Sequence, residues 1–356
     1  MHKVRYVLVG FGGIAENRVA KEGFACDRKR FEPLKHAVLV GATDLNPVRQ
    51  AAAEALGIRW YPAFESVLAD KTVDGVYIAT NNRSHVPLAL QALKAGKHVI
   101  VEKPMATSVA DAKKLSKAAK AKGLSLTVDH MMVNNAWTVA GKKAMDAGRL
   151  GKVNDCCFHM EFAYGYDPAE AATWRCSKVE EMGGPIGDVA SHCFYVAEFM
   201  FGKRISKVAA VYYPKTMRIK TEDGVYVKFF FVDGTQGSVN AAFSELRGGM
   251  AGTLTNLGYE VYGDKAAMRG YGTMFQLSGY ADEPIAIRLE IDDGKTVTKI
   301  SPSKIRNIYQ TLIEGHAKSV ISGQPLTGDA AVHNLALCAA AHASARKGGT
   351  VVSVRD

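Results

Sequence analysis

Tyr6-Val7-Leu8-Val9-Gly10-Phe11-Gly12-Gly13-Ile14-Ala15 is the stretch on which the fold turns. An apolar run stops at Gly10, and the order G-x-G-x-x-A then leads into a helical pattern. Gly10 permits a tight turn and Gly12 lets the backbone approach a pyrophosphate. The small Ala15 lets the helix pack near a sheet while its first N–H groups face the anion. Phe11, Gly13 and Ile14 complete the loop and count with it as cofactor contacts. Taken alone, the motif also describes a glycine-rich turn with no ligand.

Working outward, strand-like and helix-like patterns alternate. Apolar Val4–Val9 precedes a helix from about Ile14, Ala37–Ala42 precedes a helix over Pro47–Leu56, and Gly75–Ala79 precedes one over Val86–Ala95. His98–Val101, a helix over Val109–Lys122 and Leu124–Val128 follow. Short apolar strands separated by helices of about three turns predict a doubly wound parallel sheet with helices on both faces. The class is α/β, with a nucleotide-binding Rossmann domain over 1–128.

After a helix over Ala136–Ala147 the pattern becomes mostly strand: Val208–Tyr213, Gly224–Val232, Thr235–Phe243 and Tyr259–Tyr262. Asp233-Gly234 is a hairpin turn signal between two such runs. An α+β domain over 129–356 is expected, its antiparallel sheet flanked by helices near Asp188, over Ile308–Ser322 and over Ala330–Ala345. At 356 residues the chain exceeds one typical core of about 100–200 residues.

With 47% hydrophobic and 22% charged residues, the composition is that of an ordinary soluble protein. No apolar run approaches the roughly 20 residues of a membrane helix. The stretch after Lys3 and Arg5 is too short for a secretory signal, so a cytoplasmic location is expected. Six cysteines without C-x-x-C spacing argue against a zinc site or a disulfide framework. A net charge of +10 suits an anionic ligand. Nucleic acid is a poor fit, because the basic run Lys113, Lys114, Lys117, Lys120 and Lys122 has no interleaved aromatics for stacking. Along Asn154–Phe162, Cys157, His159 and Glu161 fall on one face; alternate polar residues on a half-exposed strand need no ion, and no metal is expected.

The second strand ends at Thr43-Asp44, where a carboxylate can accept hydrogen bonds from ribose hydroxyls and would repel a 2′-phosphate. This favours NAD. NADP stays possible, because Arg49 can neutralise a phosphate if its helix turns inward. Thr80-Asn81-Asn82-Arg83-Ser84-His85 lies at the carboxyl edge where such sheets bind ligands. Thr80, Asn82 and His85 are therefore candidate cofactor contacts, although the same residues can simply shape a turn. Glu102-Lys103-Pro104 occupies the same edge after the next strand. Glu102 and Lys103 are placed at the cofactor, and Lys103 can hold a substrate hydroxyl and stabilise charge growing on its oxygen.

Farther along, Gly183-Gly184-Pro185-Ile186-Gly187-Asp188-Val189-Ala190-Ser191-His192 sets an acid and an imidazole four residues apart at a helix start. His192 can take an alcohol proton near neutral pH, and Asp188 can orient it. A helix-start aspartate and a core histidine give the same spacing. Trp174 and Arg175 are candidate substrate-wall residues, with core packing and a surface ion pair as the alternatives.

The motifs G-x-G-x-x-A, Asp44-x-Asn46-Pro47, Thr80-x-Asn82-x-x-His85, Ala95-Gly96-Lys97-His98-Val99-x-Val101-Glu102-Lys103-Pro104 and Gly183-Gly184-x-x-x-Asp188-x-x-x-His192 follow in order. The chain so resembles the glucose–fructose oxidoreductase and inositol dehydrogenase (Gfo/Idh/MocA) family over essentially its whole length. The resemblance implies Lys103, Asp188 and His192 as the catalytic set. It further implies a large open-faced sheet that pairs subunits into a homodimer or homotetramer, and NAD(P)-linked oxidation of a secondary hydroxyl on a sugar, cyclitol or sugar derivative. Asp129-His130-Met131-Met132-Val133 departs from the arginine-bearing segment of many relatives. An NAD-dependent glycosidase with transient oxidation and a non-catalytic dinucleotide sensor are the competing expectations.

Overall fold

The computed structural model describes residues 3–245, 257–272, 288–302 and 305–356. The chain divides into two compact units, Met1–Met131 with Arg306–Val332, and Met132–Ile305 with His333–Asp356. Each is built around its own sheet.

The first sheet has six strands: β1 (Val4–Val9), β2 (Ala37–Thr43), β3 (Arg59–Trp60), β4 (Gly75–Ile78), β5 (His98–Val101) and β6 (Leu126–Val128). They run in the order β3-β2-β1-β4-β5-β6, and every pairing is parallel. The order reverses between β1 and β4, so the turn after β1 and the residues after β4 open at one switch point. Val7, Leu8, Val76, Ile78, Val99 and Ile100 are wholly buried, as strands covered on both faces must be. The helices carry local stop signals. Ser108 Oγ accepts the Asp111 N–H at 3.1 Å to start Val109–Lys122, and Gly123 ends it in the left-handed region.

The division differs from 1–128 and 129–356. Helix Ile308–Ser322, expected to flank the second sheet, belongs to the first unit. Its His316 Nδ1 faces the Tyr6 hydroxyl at 2.7 Å, and its Glu314 accepts the His36 backbone N–H at 2.9 Å. A β carbon on Gly23 would stand 3.0 Å from Ile313 Cδ1. Buried Tyr6 needs a polar partner for its hydroxyl, and His316 supplies it from 310 residues away. The Leu126 N–H donates to Leu326 O at 2.8 Å, so this late segment also covers the β6 edge.

The second sheet holds nine described strands: β7 (Val153–Glu161), β8 (Ile205–Tyr212), β9 (Gly224–Phe231), β10 (Gln236–Ala242), β11 (Leu257–Gly263), β12 (Ala267–Gly272), β13 (Arg288–Asp292), β14 (Val297–Lys299) and β15 (Val352–Ser353). Their order is β14-β13-β12-β11-β7-β10-β9-β8-β15, antiparallel except for β7 with β10. Asp233-Gly234 turns β9 into β10, with Gly234 at φ 89°. On β7, Cys156, Phe158 and Met160 are buried while Asp155 is exposed and Cys157 and His159 half-buried, the alternation read from the sequence. Glu161 breaks it, being 1% exposed.

Candidate active site

In the first unit, the turn after β1 is held from two sides. The Gly10 N–H donates to Thr43 O at 2.9 Å, and Gly10 adopts φ +86°, where a β carbon would lie 2.7 Å from Ala79 O. The next two glycines face open space, with no heavy atom within 4 Å of where a β carbon would stand. A bare backbone loop leading into helix Ala15–Gly23 fits a diphosphate, whose charge meets the positive end of a helix.

Asp44 closes the loop onto β2. Its Oδ2 accepts the Phe11 N–H at 2.6 Å and its Oδ1 the Asn46 N–H at 2.8 Å. Arg49 turns inward: its Nε donates to Phe11 O at 2.6 Å, its guanidinium also bonds Glu16, and it lies 5.8 Å from the Phe11 ring centre. The half-buried Asp44 carboxylate is thus fixed against the loop, with a cation already balanced by Glu16 nearby.

After β4, the Thr80 and Ser84 hydroxyls are 2.7 Å apart, and Asn82 is buried in the first turn of helix Asn82–Lys94. His85, expected at the cofactor, is wholly buried. Its Nδ1 lies 2.9 Å from Pro104 O and its Nε2 3.2 Å from Thr80 O, so the neutral ring donates to one of the two carbonyls between which it is packed. Burial lowers its pKa. The Lys103–Pro104 peptide it clasps is cis.

Behind Lys103 is a cluster that motif reading passed over. Tyr77 reads as one more apolar strand residue in Gly-Val-Tyr-Ile, yet its buried hydroxyl donates to Asp129 Oδ2 at 2.5 Å and lies 3.3 Å from Glu102 Oε1. The Lys103 backbone N–H donates to Glu102 Oε2 at 3.2 Å. A tyrosine on a strand buried on both faces was the available signal.

In the second unit, Asp188 and His192 are 5% and 4% exposed. They lie on one continuous helical run, Ile186–Ala190 wound wide and Ser191–Phe201 regular, ended by Gly202 at φ 62°. Asp188 Oδ2 accepts from Arg175 Nε at 3.1 Å. Arg175, expected as a substrate wall, is therefore bound to the acid, and its guanidinium covers one face of Trp174 at 4.8 Å. The pair joins a buried carboxylate to a partly exposed guanidinium.

Glu222 was also passed over. Its Oε1 accepts the Ile186 N–H at 2.9 Å, capping the run that carries Asp188, and burial pushes its carboxyl up to about 6. The Gly-Gly turn makes room for it: a β carbon on Gly184 would stand 2.5 Å from this carboxylate. Among the described residues, no group of three His, Cys, Asp or Glu side chains is placed to hold a metal ion. No described helix is long and apolar enough to cross a membrane.

Residues 4–130 match the family model for the oxidoreductase family with an NAD-binding Rossmann fold, and residues 139–269 match the GFO/IDH/MocA C-terminal domain. A 1,5-anhydro-D-fructose reductase of Ensifer adhaerens is 29% identical over 283 residues, 76% of this chain and 77% of that one. Among solved structures, an aldose-aldose oxidoreductase from Caulobacter crescentus complexed with glycerol covers 99% of both chains at a TM-score of 0.83 and 23% identity. Levoglucosan dehydrogenase in complex with NADH and L-sorbose covers 100% of both at 0.82 and 20% identity, so these two likenesses are ones of fold. With both units matched to its two domain models, the chain belongs to the Gfo/Idh/MocA family of NAD(P)-dependent oxidoreductases.

Proposed function

We propose that this protein oxidises a secondary hydroxyl of a sugar, cyclitol or sugar derivative, and reduces the corresponding ketone in reverse. The observation that carries the reading is the retention of Lys103 at the carboxyl edge of the dinucleotide-binding sheet together with the buried, arginine-paired Asp188 one turn before His192. Names of relatives support the substrate class: a 1,5-anhydro-D-fructose reductase and two scyllo-inositol 2-dehydrogenases.

Bound NAD supplies the hydride acceptor. Gly10, Phe11, Gly12, Gly13 and Ile14 would hold its diphosphate, Asp44 a ribose, and Thr80, Asn82 and Glu102 the nicotinamide side of the loop edge. Lys103 donates a hydrogen bond to the substrate oxygen and stabilises its developing charge. His192 takes the hydroxyl proton, and Asp188, one turn earlier on the same helical run, orients it. Trp174 stacks against the ring of the substrate. The second unit's sheet pairs copies of the chain, which light scattering of the purified protein tests.

A screen of sugars and cyclitols with NAD and NADP, following absorbance of the reduced cofactor, tests the reaction. Turnover is expected with NAD preferred; no turnover on any polyol despite NAD binding would favour a sensor. Lys103→Met and His192→Asn are each expected to lower kcat by about 100-fold or more while NADH still binds.

A further inference from the structure

Adjacent strands bring three side chains together behind Lys103. Tyr77 lies on β4, Glu102 follows β5 and Asp129 follows β6, all at the same carboxyl edge. The Tyr77 hydroxyl bridges them, at 2.5 Å from Asp129 Oδ2 and 3.3 Å from Glu102 Oε1. One hydroxyl thereby draws the Glu102 and Asp129 carboxyls together. Asp129 is 0% exposed, and no N–H or O–H group reaches its Oδ1.

An ionised carboxylate has no proton to donate, and Tyr77 has only one. The one hydroxyl proton cannot serve two carboxylates at once, so the pair needs a further proton held between the two acids, as expected for like charges drawn together around a buried hydroxyl. Burial and the neighbouring Glu102 raise Asp129 well above the usual carboxylate range, and burial raises Glu102 against the opposing pull of Lys103. The other groups facing the pair stay uncharged. His130 is pushed down to about 3 by burial and by Lys103, and Tyr309 on helix Ile308–Ser322 is raised by burial.

We propose that Asp129 is a positioning residue for Lys103: carrying the shared proton, it pins the Glu102 carboxylate beneath the Lys103 backbone N–H and leaves a single negative charge beside the ammonium. The proposal rests on the reading that Lys103 serves the substrate oxygen. Loss of the proton would add a second negative charge behind Lys103 and draw the ammonium back toward the acids. Activity should then fall on the alkaline side.

Three proteins test this: wild type, Asp129→Asn and Asp129→Ala. An asparagine amide donates to Glu102 as the protonated acid does, and it cannot ionise. Asp129→Asn is expected to keep neutral-pH turnover within about threefold of wild type and to lose the alkaline fall in kcat/KM. Asp129→Ala should lower kcat by about 100-fold through misplacement of the lysine, with the NADH dissociation constant within about twofold. Infrared spectra at neutral pH should show a protonated-carboxyl band in wild type that is missing from Asp129→Asn. An alkaline fall that persists in Asp129→Asn, or absence of that band from wild type, overturns the proposal. If no polyol is turned over, the proposed function falls, and the band still supports or overturns the shared proton.

Discussion

The Asp44 carboxylate reaches back to accept the Phe11 backbone N–H at 2.6 Å, tying the end of β2 to the glycine loop after β1. One side chain thereby shapes the loop, and it is the residue proposed to hold the adenosine ribose. Asp44→Ser should remove both effects. Because a hydrogen bond to a charged group is worth about 1.5–3 kcal/mol, KM for NAD is expected to rise by roughly 10–100-fold. Arg49, already bonded to Phe11 O, should make the loss smaller for NADP. Steady-state kinetics with both cofactors checks this, and an unchanged preference would remove Asp44 from cofactor selection.

Gly10 offers a sharper perturbation. Its φ of +86° and the Ala79 carbonyl 2.7 Å from an added β carbon leave no room for alanine. Gly10→Ala should cost about 1–3 kcal/mol of stability and weaken NADH binding, read by thermal unfolding and cofactor fluorescence.

Arg175 and Asp188 are paired at 3.1 Å, with the acid buried and the arginine side chain 31% exposed. Removing the cation leaves a desolvated carboxylate, which costs about 3–5 kcal/mol when both partners are buried. The partial exposure of Arg175 reduces this, and Arg175→Met is expected to lower stability by about 1–3 kcal/mol in urea unfolding. Asp188→Asn in the same chain should recover part of that loss.

Glu222 links pH to stability. Burial raises it from 4.5 to about 6, so the folded unit holds its proton more tightly than the unfolded chain does. Stability from this group is complete below about pH 4.5 and is lost as pH rises through about 6. Glu222→Gln should be more stable than wild type above that range by about 2 kcal/mol, with the difference vanishing in acid, as urea midpoints across pH would show.

Much of the first unit was legible because its signals are local. Gly10 follows an apolar strand, Ser108 and Gly123 bracket a helix, and Asp44 ends β2. Asp233-Gly234 announced its hairpin for the same reason. Partnerships across long separations were not legible. Nothing around Arg175 indicates that it binds Asp188 13 residues later, and nothing around Tyr77 points to Asp129, 52 residues away. His85 was likewise not legible: a polar residue at a sheet edge gives no sign that its ring sits wholly buried between the Pro104 and Thr80 carbonyls.

Because Tyr6, Gly23 and the β6 edge meet partners that are encoded beyond residue 305, the dinucleotide lobe is a discontinuous unit. A ribosome must emit the chain past Arg306 before that lobe can be completed. Until then a nascent chain exposes an unfinished apolar surface, a natural substrate for chaperones.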